Sequence, residues 1–355
     1  MGSCICERIG QNDLTVRCWL AMVAIVGCCA RGISLGQSVD ANDFYSRGKA
    51  ALDAKRYAEA EEALAKAESS SPGTTNAQAL RAKALIHLNQ FEEAQRCLAN
   101  YLKAHPDSAD AKYLLAYVLF RENRPSESLG MYTAAAALQR PTAEDFKIVG
   151  LDYVLLNDHS DAVRWLERSV SEGPNDAEAT YYLGRAYYVQ NNFDKAIAAF
   201  QRTLQLDPQH AKAENNLGLA LAAENQTGAA ETAYRKAIQM GNASEAKSDQ
   251  PYINLAELLS HTDHQAEALS LLDEAERIGG KSKQTEELRG QILFAQNRLK
   301  DAEVAFRVAV SMKPDDGALH YLLGRVLRRE GKLADAEKEF AESKALNSTP
   351  SSTPN

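Results

Sequence analysis

Small and large apolar positions recur along this chain with a fixed spacing. Residues 183–187 align with residues 217–221, a step of 34 residues (217 − 183), and the same pattern extends in both directions. A period of this length is typical of arrays of helix-turn-helix units. The pattern predicts nine repeats, which cover residues 41–74, 75–108, 109–142, 143–176, 177–210, 211–244, 249–282, 283–316 and 317–350.

Three positions of each predicted repeat carry a constant kind of side chain. The eighth position is small: Gly48, Ala82, Ala116, Gly150, Gly184, Gly218, Ala256, Gly290 and Gly324. The twentieth position is also small: Ala60, Ala94, Ser128, Ala162, Ala196, Ala230, Ala268, Ala302 and Ala336. The twenty-fourth position is large and apolar: Leu64, Leu98, Tyr132, Leu166, Phe200, Tyr234, Leu272, Phe306 and Phe340.

These positions predict how the helices pack. Small residues at the eighth and twentieth positions should face each other, so that the first helix of a pair presses closely on the second. The large residue should fill the space between neighbours, at about 1.5 to 3 kcal/mol for each buried side chain. Prolines at the thirty-second position should end the second helix, because proline has no backbone donor: Pro72, Pro106, Pro174, Pro208 and Pro314. Pro141 is shifted and Asn242 departs from this rule.

In its small, large and breaker positions the chain resembles the tetratricopeptide repeat family over residues 41–350. The resemblance implies an all-α fold, a right-handed superhelical solenoid of antiparallel helix pairs whose first helices line a concave face. Residues 245–248 interrupt the repeat count and lengthen one turn. The polar residues around Phe340 should let the last helix cap the array, and residues 351–355 should form a disordered tail.

The first 36 residues have the character of an export signal. The stretch from Cys18 to Ala30 has no charge and lies between Arg17 and Arg31. Thirteen residues of helix span roughly 20 Å, which is short of the ~30 Å hydrocarbon core, so a signal peptide fits better than a membrane-spanning helix. We therefore expect an exported protein that is periplasmic, secreted or an outer-membrane lipoprotein.

Three fates of this segment are open. Ser34 and Gly36 supply the small residues that an ordinary signal peptidase prefers, which predicts cleavage after Gly36. Residues 25–28 resemble the lipobox of bacterial lipoproteins, in which the cysteine, here Cys28, is lipidated and becomes the new N-terminus. The third is an uncleaved signal anchor. A membrane contact is expected only through such a lipid or anchor.

Charge and motif content exclude several function classes. The net charge is −8, and an acidic chain lacks the positive surface that binds phosphate backbones, so we expect no nucleic-acid partner. The sequence has no glycine-rich phosphate loop, nucleophile elbow or paired C-x-x-C motif. His261 and His264 form an isolated pair in a polar turn, and Cys97 has the context of a half-buried inert thiol. We therefore predict a protein that is not an enzyme and uses no cofactor or metal.

The groove of the array should be lined by five positions of each first helix: the second, fifth, ninth, twelfth and thirteenth. Read across the third to fifth repeats, these positions give Tyr113, Tyr117, Phe120, Arg121, Lys147, Tyr181, Arg185 and Tyr188. Aromatic rings interspersed with cations are favoured at interface hot spots, because rings bury a large area at low entropic cost. The alternative is that the tyrosines only pack the array.

Two further patches are candidates for partner binding. Asn216 and Asn254 occupy the sixth position of consecutive repeats and resemble the asparagine ladders with which some arrays hold a peptide backbone. Arg325, Arg328 and Arg329 form a basic edge on the last repeat, for either an acidic partner or solvent.

Together these features predict a non-catalytic scaffold that binds a peptide or partner protein in its concave groove, in the cell envelope. The alternative is an accessory or targeting subunit of an enzyme complex, such as an envelope or glycosyl-transfer machine. A structural assembly factor of the envelope is a third interpretation. The sequence specifies no oligomeric state, because the repeat positions that recur determine the fold rather than the partner.

Overall fold

The computed structural model describes residues 40–71, 76–242 and 247–348. Within these ranges the chain is a succession of α-helices joined by turns, with no strand. Residues 40–53 are helical and form α1. The helices that follow are α2 Tyr57–Ser70, α3 Ala77–His87, α4 Phe91–Ala104, α5 Ala109–Arg121, α6 Pro125–Ala136, α7 Ala143–Leu155, α8 His159–Glu172, α9 Ala177–Val189, α10 Phe193–Leu206, α11 Ala211–Ala223, α12 Thr227–Asn242, α13 Gln250–Ser260, α14 Gln265–Gly279, α15 Lys283–Ala295, α16 Leu299–Met312, α17 Gly317–Arg329 and α18 Leu333–Ser348.

The helices fall into two compact units, α1 to α8 and α9 to α18. In each unit a first helix and the second helix that follows it form a hairpin, and the next hairpin packs beside it. The all-α class and the paired-helix repeats that the sequence predicts are confirmed. The predicted signal segment 1–36, with Cys28, and the predicted tail 351–355 lie outside the described residues.

The eighth and twenty-fourth positions of a repeat lie in direct contact. A methyl group added at Gly150 would come within 2.6 Å of Leu166 Cγ, and one at Gly218 within 2.5 Å of Tyr234 Cε1. The large side chain therefore occupies the space that a side chain on the first helix would need. The residues at the twentieth position are buried as well, and Ser128 Oγ lies 2.9 Å from the carbonyl oxygen of Ala116, an eighth position.

A left-handed residue ends most of the first helices. It stands at the fifteenth position, where the residues with positive φ are Lys55, Asn89, Asn123, Asn157, Asn191, Asn225, Asn297 and Gly331. After α3, the amide of Asn89 donates to Ile86 O (3.0 Å) and that of Gln90 donates to Leu85 O (2.9 Å), which is the Schellman arrangement. Asparagine suits this position because its short polar side chain tolerates left-handed backbone.

Second helices end just before the recurrent prolines. α4 ends at Ala104 and α16 ends at Met312, in each case two residues before a proline. Several of the first helices that follow begin with a side-chain cap. For example, the carboxylate of Asp176 accepts from Ala179 N at 3.0 Å, and the hydroxyl of Ser108 accepts from Ala111 N.

Candidate functional site

The N-terminal unit contains a cleft lined mostly by residues of the first helices α3, α5 and α7. We call it the tyrosine cleft, because Tyr113, Tyr117 and Tyr132 lie in its wall, and its volume is about 600 Å³. Tyr113 donates its hydroxyl proton to Gln139 O at 2.7 Å, and its ring meets that of Tyr132 edge to face at 5.6 Å. Burial, with a smaller contribution from Asp145, raises the pKa of Tyr113, so this phenol keeps its proton at neutral pH.

Arg121 is held at the mouth of the tyrosine cleft by neutral groups. Its guanidinium donates to Tyr117 Oη at 2.8 Å and to Asn89 Oδ1 at 3.4 Å. The same group lies 4.5 Å from the centroid of the Phe91 ring. These contacts hold the planar guanidinium in place. Because the side chain is also exposed, it can donate hydrogen bonds to a ligand.

Charged residues of both signs and one histidine also line the tyrosine cleft. They are Lys83, His87, Asp110, Glu144 and Asp145. None of them is among the predicted groove residues, although Lys83 and His87 occupy the ninth and thirteenth positions of the second repeat. Reading the same groove positions one repeat further towards the N-terminus would have found these two residues.

The C-terminal unit contains a second cleft, of about 540 Å³, formed around α9, α11 and α13. We call it the amide cleft. Gln250 Nε2 donates to Asn254 Oδ1 at 2.9 Å, and Asn254 Nδ2 donates to Asn215 Oδ1 at 2.9 Å. Asn215 Nδ2 then donates to Asn216 Oδ1 at 3.3 Å, and Asn216 Nδ2 to Tyr181 Oη at 3.2 Å. The four amides thus form a hydrogen-bonded chain that ends on a phenol oxygen.

This series of hydrogen bonds changes the interpretation of Asn216 and Asn254. Asn254 is only 6% exposed and bonds to Asn215, a fifth-position residue that the sequence analysis did not select. Asn254 therefore supports the wall, while Asn215, Asn216, Gln250 and Tyr181 line the cleft. Burial raises the pKa of the Tyr181 phenol, whose proton is not used by its bond from Asn216.

Besides Asn254, four of the predicted groove residues lie outside both linings. Lys147 is 5% exposed, and its Nζ lies 2.8 Å from Glu144 Oε2, one helical turn earlier. Phe120 and Tyr188 are half-buried and contact aromatic neighbours. The Arg185 guanidinium lies 6.0 Å from the centroid of Tyr181. Tyr113, Tyr117 and Arg121 are thus brought together in one cleft, and Tyr181 and Asn216 in the other.

The described ranges contain neither a cluster of metal ligands nor a reactive cysteine. Residues 40–71, 76–242 and 247–348 contain no group of three or more His, Cys, Asp or Glu side chains that could hold a metal ion. His264 Nδ1 lies 3.2 Å from Thr262 Oγ1 in the turn before α14. Cys97 is buried, which raises the pKa of its thiol and disfavours the reactive thiolate. Of α1 to α18, none is both long and apolar enough to cross a bilayer.

Solved structures with similar folds include several repeat proteins. The APC/C hetero-tetramer Cut9-Hcn1 has a TM-score of 0.54 at 16% identity and covers 82% of this chain and 57% of its own. Pseudomonas aeruginosa pilF has a TM-score of 0.52 at 19% identity, covering 61% and 96%. YrrB, described as a TPR protein with an unusual peptide-binding site, has a TM-score of 0.45 at 25% identity, covering 51% and 94%. The first two likenesses support the fold alone.

No curated protein matches the chain. Three family models, all described as tetratricopeptide repeat, match it instead. One matches residues 150–211, 184–251 and 287–349, another matches residues 51–116, and the last matches residues 250–274. Together these matches cover more than half of the sequence and lie within the region of helix pairs. The chain belongs to the tetratricopeptide repeat family.

Proposed function

We propose that this protein is a non-catalytic scaffold that holds peptide segments of partner proteins in the tyrosine cleft and the amide cleft. One observation carries the proposal: the lining of each cleft includes residues from the first helices of three consecutive repeats. A surface assembled from successive repeats extends along the array, which suits an elongated ligand.

The side chains of the two clefts suit the two parts of a peptide. Amide groups offer both a donor and an acceptor, as the peptide backbone does, so the half-buried Asn216 and Gln250 can pair with an extended main chain, while the buried Asn215 holds Asn216 in place. Tyr113 and Tyr117 present rings that bury apolar side chains at low entropic cost. Arg121, bonded to neutral groups, can add a charge-assisted hydrogen bond to a ligand acceptor.

The experiment compares the full chain with two cleft variants in affinity capture followed by mass spectrometry. The first variant is Tyr117→Ala with Arg121→Ala, and the second is Asn216→Ala. We expect at least one partner to fall about tenfold in recovery with one of them, because a lost hot-spot residue costs about 1 to 2 kcal/mol or more. Direct titration of the identified peptide then checks the affinity.

The matched control is Arg96→Ala with Val304→Ala, since both residues are exposed on second helices. This variant should retain every partner, and circular dichroism should show the same helical content in all four proteins. If both cleft variants keep every partner at the wild-type level, the clefts are not the binding surface.

We also propose that the protein is exported to the cell envelope. Support comes from the uncharged stretch between Arg17 and Arg31. Intact-mass measurement of the mature protein distinguishes the three fates of this segment: a chain beginning after Gly36, a lipidated chain beginning at Cys28, and an unprocessed chain. An unprocessed chain recovered outside the envelope would contradict the proposal.

A further inference from the structure

The first helix of the last hairpin, α17, has an unusual charge. It contains Arg325, Arg328 and Arg329 and no Asp or Glu, in a protein whose net charge is −8. All three arginines are exposed. Within residues 40–71, 76–242 and 247–348, none of them forms an ion pair, whereas many arginines on the other helices do. Their charge is therefore not neutralised by the described part of the chain.

Two of these arginines share one aromatic ring. The guanidinium carbons of Arg325 and Arg329 lie 5.2 Å and 5.1 Å from the centroid of Phe294, which belongs to α15. Arg328 lies 5.5 Å from the centroid of Phe340. Stacking on rings holds the guanidinium groups in place while their N–H donors stay directed to solvent. The result is an ordered set of donors rather than a set of freely moving side chains.

The guanidinium groups on α17 repel each other, and a bound anion would reduce this repulsion. Like charges four residues apart on a helix repel each other by a few tenths of a kcal/mol. The helix dipole favours Arg328 and Arg329 in the last turn, but Arg325 lies one turn earlier. The carboxylate of Glu330, next along the chain, is already 2.8 Å from Lys332 Nζ.

The surface around the arginines also has an apolar recess. A cavity of about 280 Å³ lies between α15 and α17 and is lined by Gln291, Phe294, Phe306, Leu322 and Arg325. Tyr321, 51% exposed, stands one turn before Arg325 on the same helix. A ligand that fits here would combine negative charges with one apolar side chain. Carboxylates match guanidinium donors in geometry as well as in charge.

We propose that the α15–α17 face binds an acidic protein segment in which Asp or Glu side chains flank an apolar residue. The carboxylates pair with Arg325, Arg328 and Arg329, and the apolar side chain enters the recess beside Phe294. This surface is separate from the tyrosine and amide clefts and does not depend on them for its function.

Fluorescence anisotropy with labelled peptides tests the proposal on the full chain. The probe is a fluorescein-labelled peptide of about ten residues with a central leucine flanked on both sides by glutamates. A second peptide replaces every glutamate with glutamine. We expect the acidic peptide to bind at low salt, to lose at least tenfold in affinity with Arg325→Gln and Arg329→Gln together, and to weaken as salt screens the charges. The glutamine peptide should not bind.

The matched control is the triple variant Lys300→Gln, Lys338→Gln and Lys344→Gln, which removes exposed positive charge from second helices of the same two repeats. It should bind the acidic peptide like the wild type. Circular dichroism checks that each variant keeps its helices. The variant Arg325→Lys with Arg329→Lys separates charge from geometry, since lysine keeps the charge but loses the planar donors.

Three results would overturn the proposal. The first is the absence of measurable binding of the acidic peptide to the wild-type chain. The second is an equal loss of affinity in the triple Lys→Gln control variant, which would indicate an effect of net charge. The third is tighter, arginine-dependent binding of a labelled single-stranded oligonucleotide, which would assign the face to nucleic acid. None of these results would contradict the proposal that the tyrosine cleft and the amide cleft bind peptides.

Discussion

The carboxyl of Asp152 and the hydroxyl of Ser128 are buried together, with 2.6 Å between Oδ2 and Oγ. Ser128 Oγ also lies 2.9 Å from Ala116 O, and a hydroxyl has only one proton to donate. Both contacts are hydrogen bonds only if Asp152 is protonated and donates to Ser128, which then donates to Ala116. In agreement, burial raises the pKa of Asp152 to about 7, although the Ser128 bond opposes the shift.

This buried acid predicts a loss of stability as the pH rises from acidic to neutral. The pKa of Asp152 is about 7 in the folded protein and close to 3.9 in an unfolded chain, so the folded state binds the extra proton between these values. The free energy of unfolding should therefore fall as the pH rises from about 4 to about 7. Asp152→Asn removes this slope, and we expect the variant to melt several degrees above the wild type at pH ~8.

Thermal melts across this pH range, followed by circular dichroism, measure the effect. Asp107→Asn is the control, because Asp107 is an exposed carboxyl in the same unit. It should melt in parallel with the wild type at every pH. A variant at position 152 that keeps the wild-type pH slope would show that Asp152 is ionised in the folded protein.

The close contact between Gly150 and Leu166 predicts that a single methyl group is harmful there. In Gly150→Ala the new Cβ would lie 2.6 Å from Leu166 Cγ and 3.2 Å from its backbone nitrogen, so Leu166 and its helix must shift. We expect a loss of about 1 to 3 kcal/mol in unfolding free energy, measured by urea denaturation.

Gly130 offers a matched comparison in the same unit. It lies within α6, and a Cβ added to it meets nothing within 4 Å. Gly130→Ala should therefore stabilise the protein by up to about 1 kcal/mol, because alanine favours helix over glycine. Equal effects of the two substitutions would mean that helix propensity alone, and not packing, governs the eighth position.

The left-handed turn position predicts a stabilising substitution. Lys55 has φ of 58°, in the place where six other hairpins have asparagine. Because asparagine tolerates this backbone better than lysine, Lys55→Asn should raise the unfolding free energy by about 1 kcal/mol. Asn89→Lys, the reverse change in the next hairpin, should lower it by a similar amount. A melting temperature unchanged in both variants would contradict this expectation.

His320 gives a second pH dependence, in the last repeat. Its Nδ1 lies 2.6 Å from Glu339 Oε2 and its Nε2 lies 3.0 Å from Pro314 O, so both ring nitrogens face acceptors. Burial lowers the pKa of His320, but the bonds to Glu339 and Pro314 outweigh it, and the net shift is upward. The stabilisation is thus complete below about pH 6.5 and is lost as the pH rises through the raised value.

We expect His320→Gln to melt below the wild type at pH ~5.5, with a difference that narrows towards pH ~8. His264→Gln serves as the control, since His264 is exposed in a turn. A difference that stays constant with pH would indicate that His320 contributes only by its packing.

The fold was predictable from the sequence because its packing rule acts within one period. Gly150 and Leu166 lie sixteen residues apart (166 − 150), and their sizes recur in phase along the chain. The clefts were predictable only in part. Periodicity places Lys147 towards the groove, but it does not show that the Lys147 side chain is buried and pairs with Glu144, one helical turn earlier.

The amide cleft shows why the remaining site could not be read from the sequence. Asn254 bonds to Asn215 across 39 residues, so its role depends on the register between neighbouring hairpins rather than on its own position in a repeat. The recurrent asparagines at the fifteenth position could have predicted the left-handed turns, but the pattern of small and large apolar positions does not include them.

Within each unit, the helices that pack closely against each other are one or two places apart along the chain. Tension applied to the ends of one unit would therefore meet no distant contact among its described helices. Stretched in an optical trap, the protein should yield in steps, each releasing one period of 34 residues (217 − 183), roughly 110 Å of extended chain. Such a molecule can lengthen under load and shorten again while most of its hairpins stay intact.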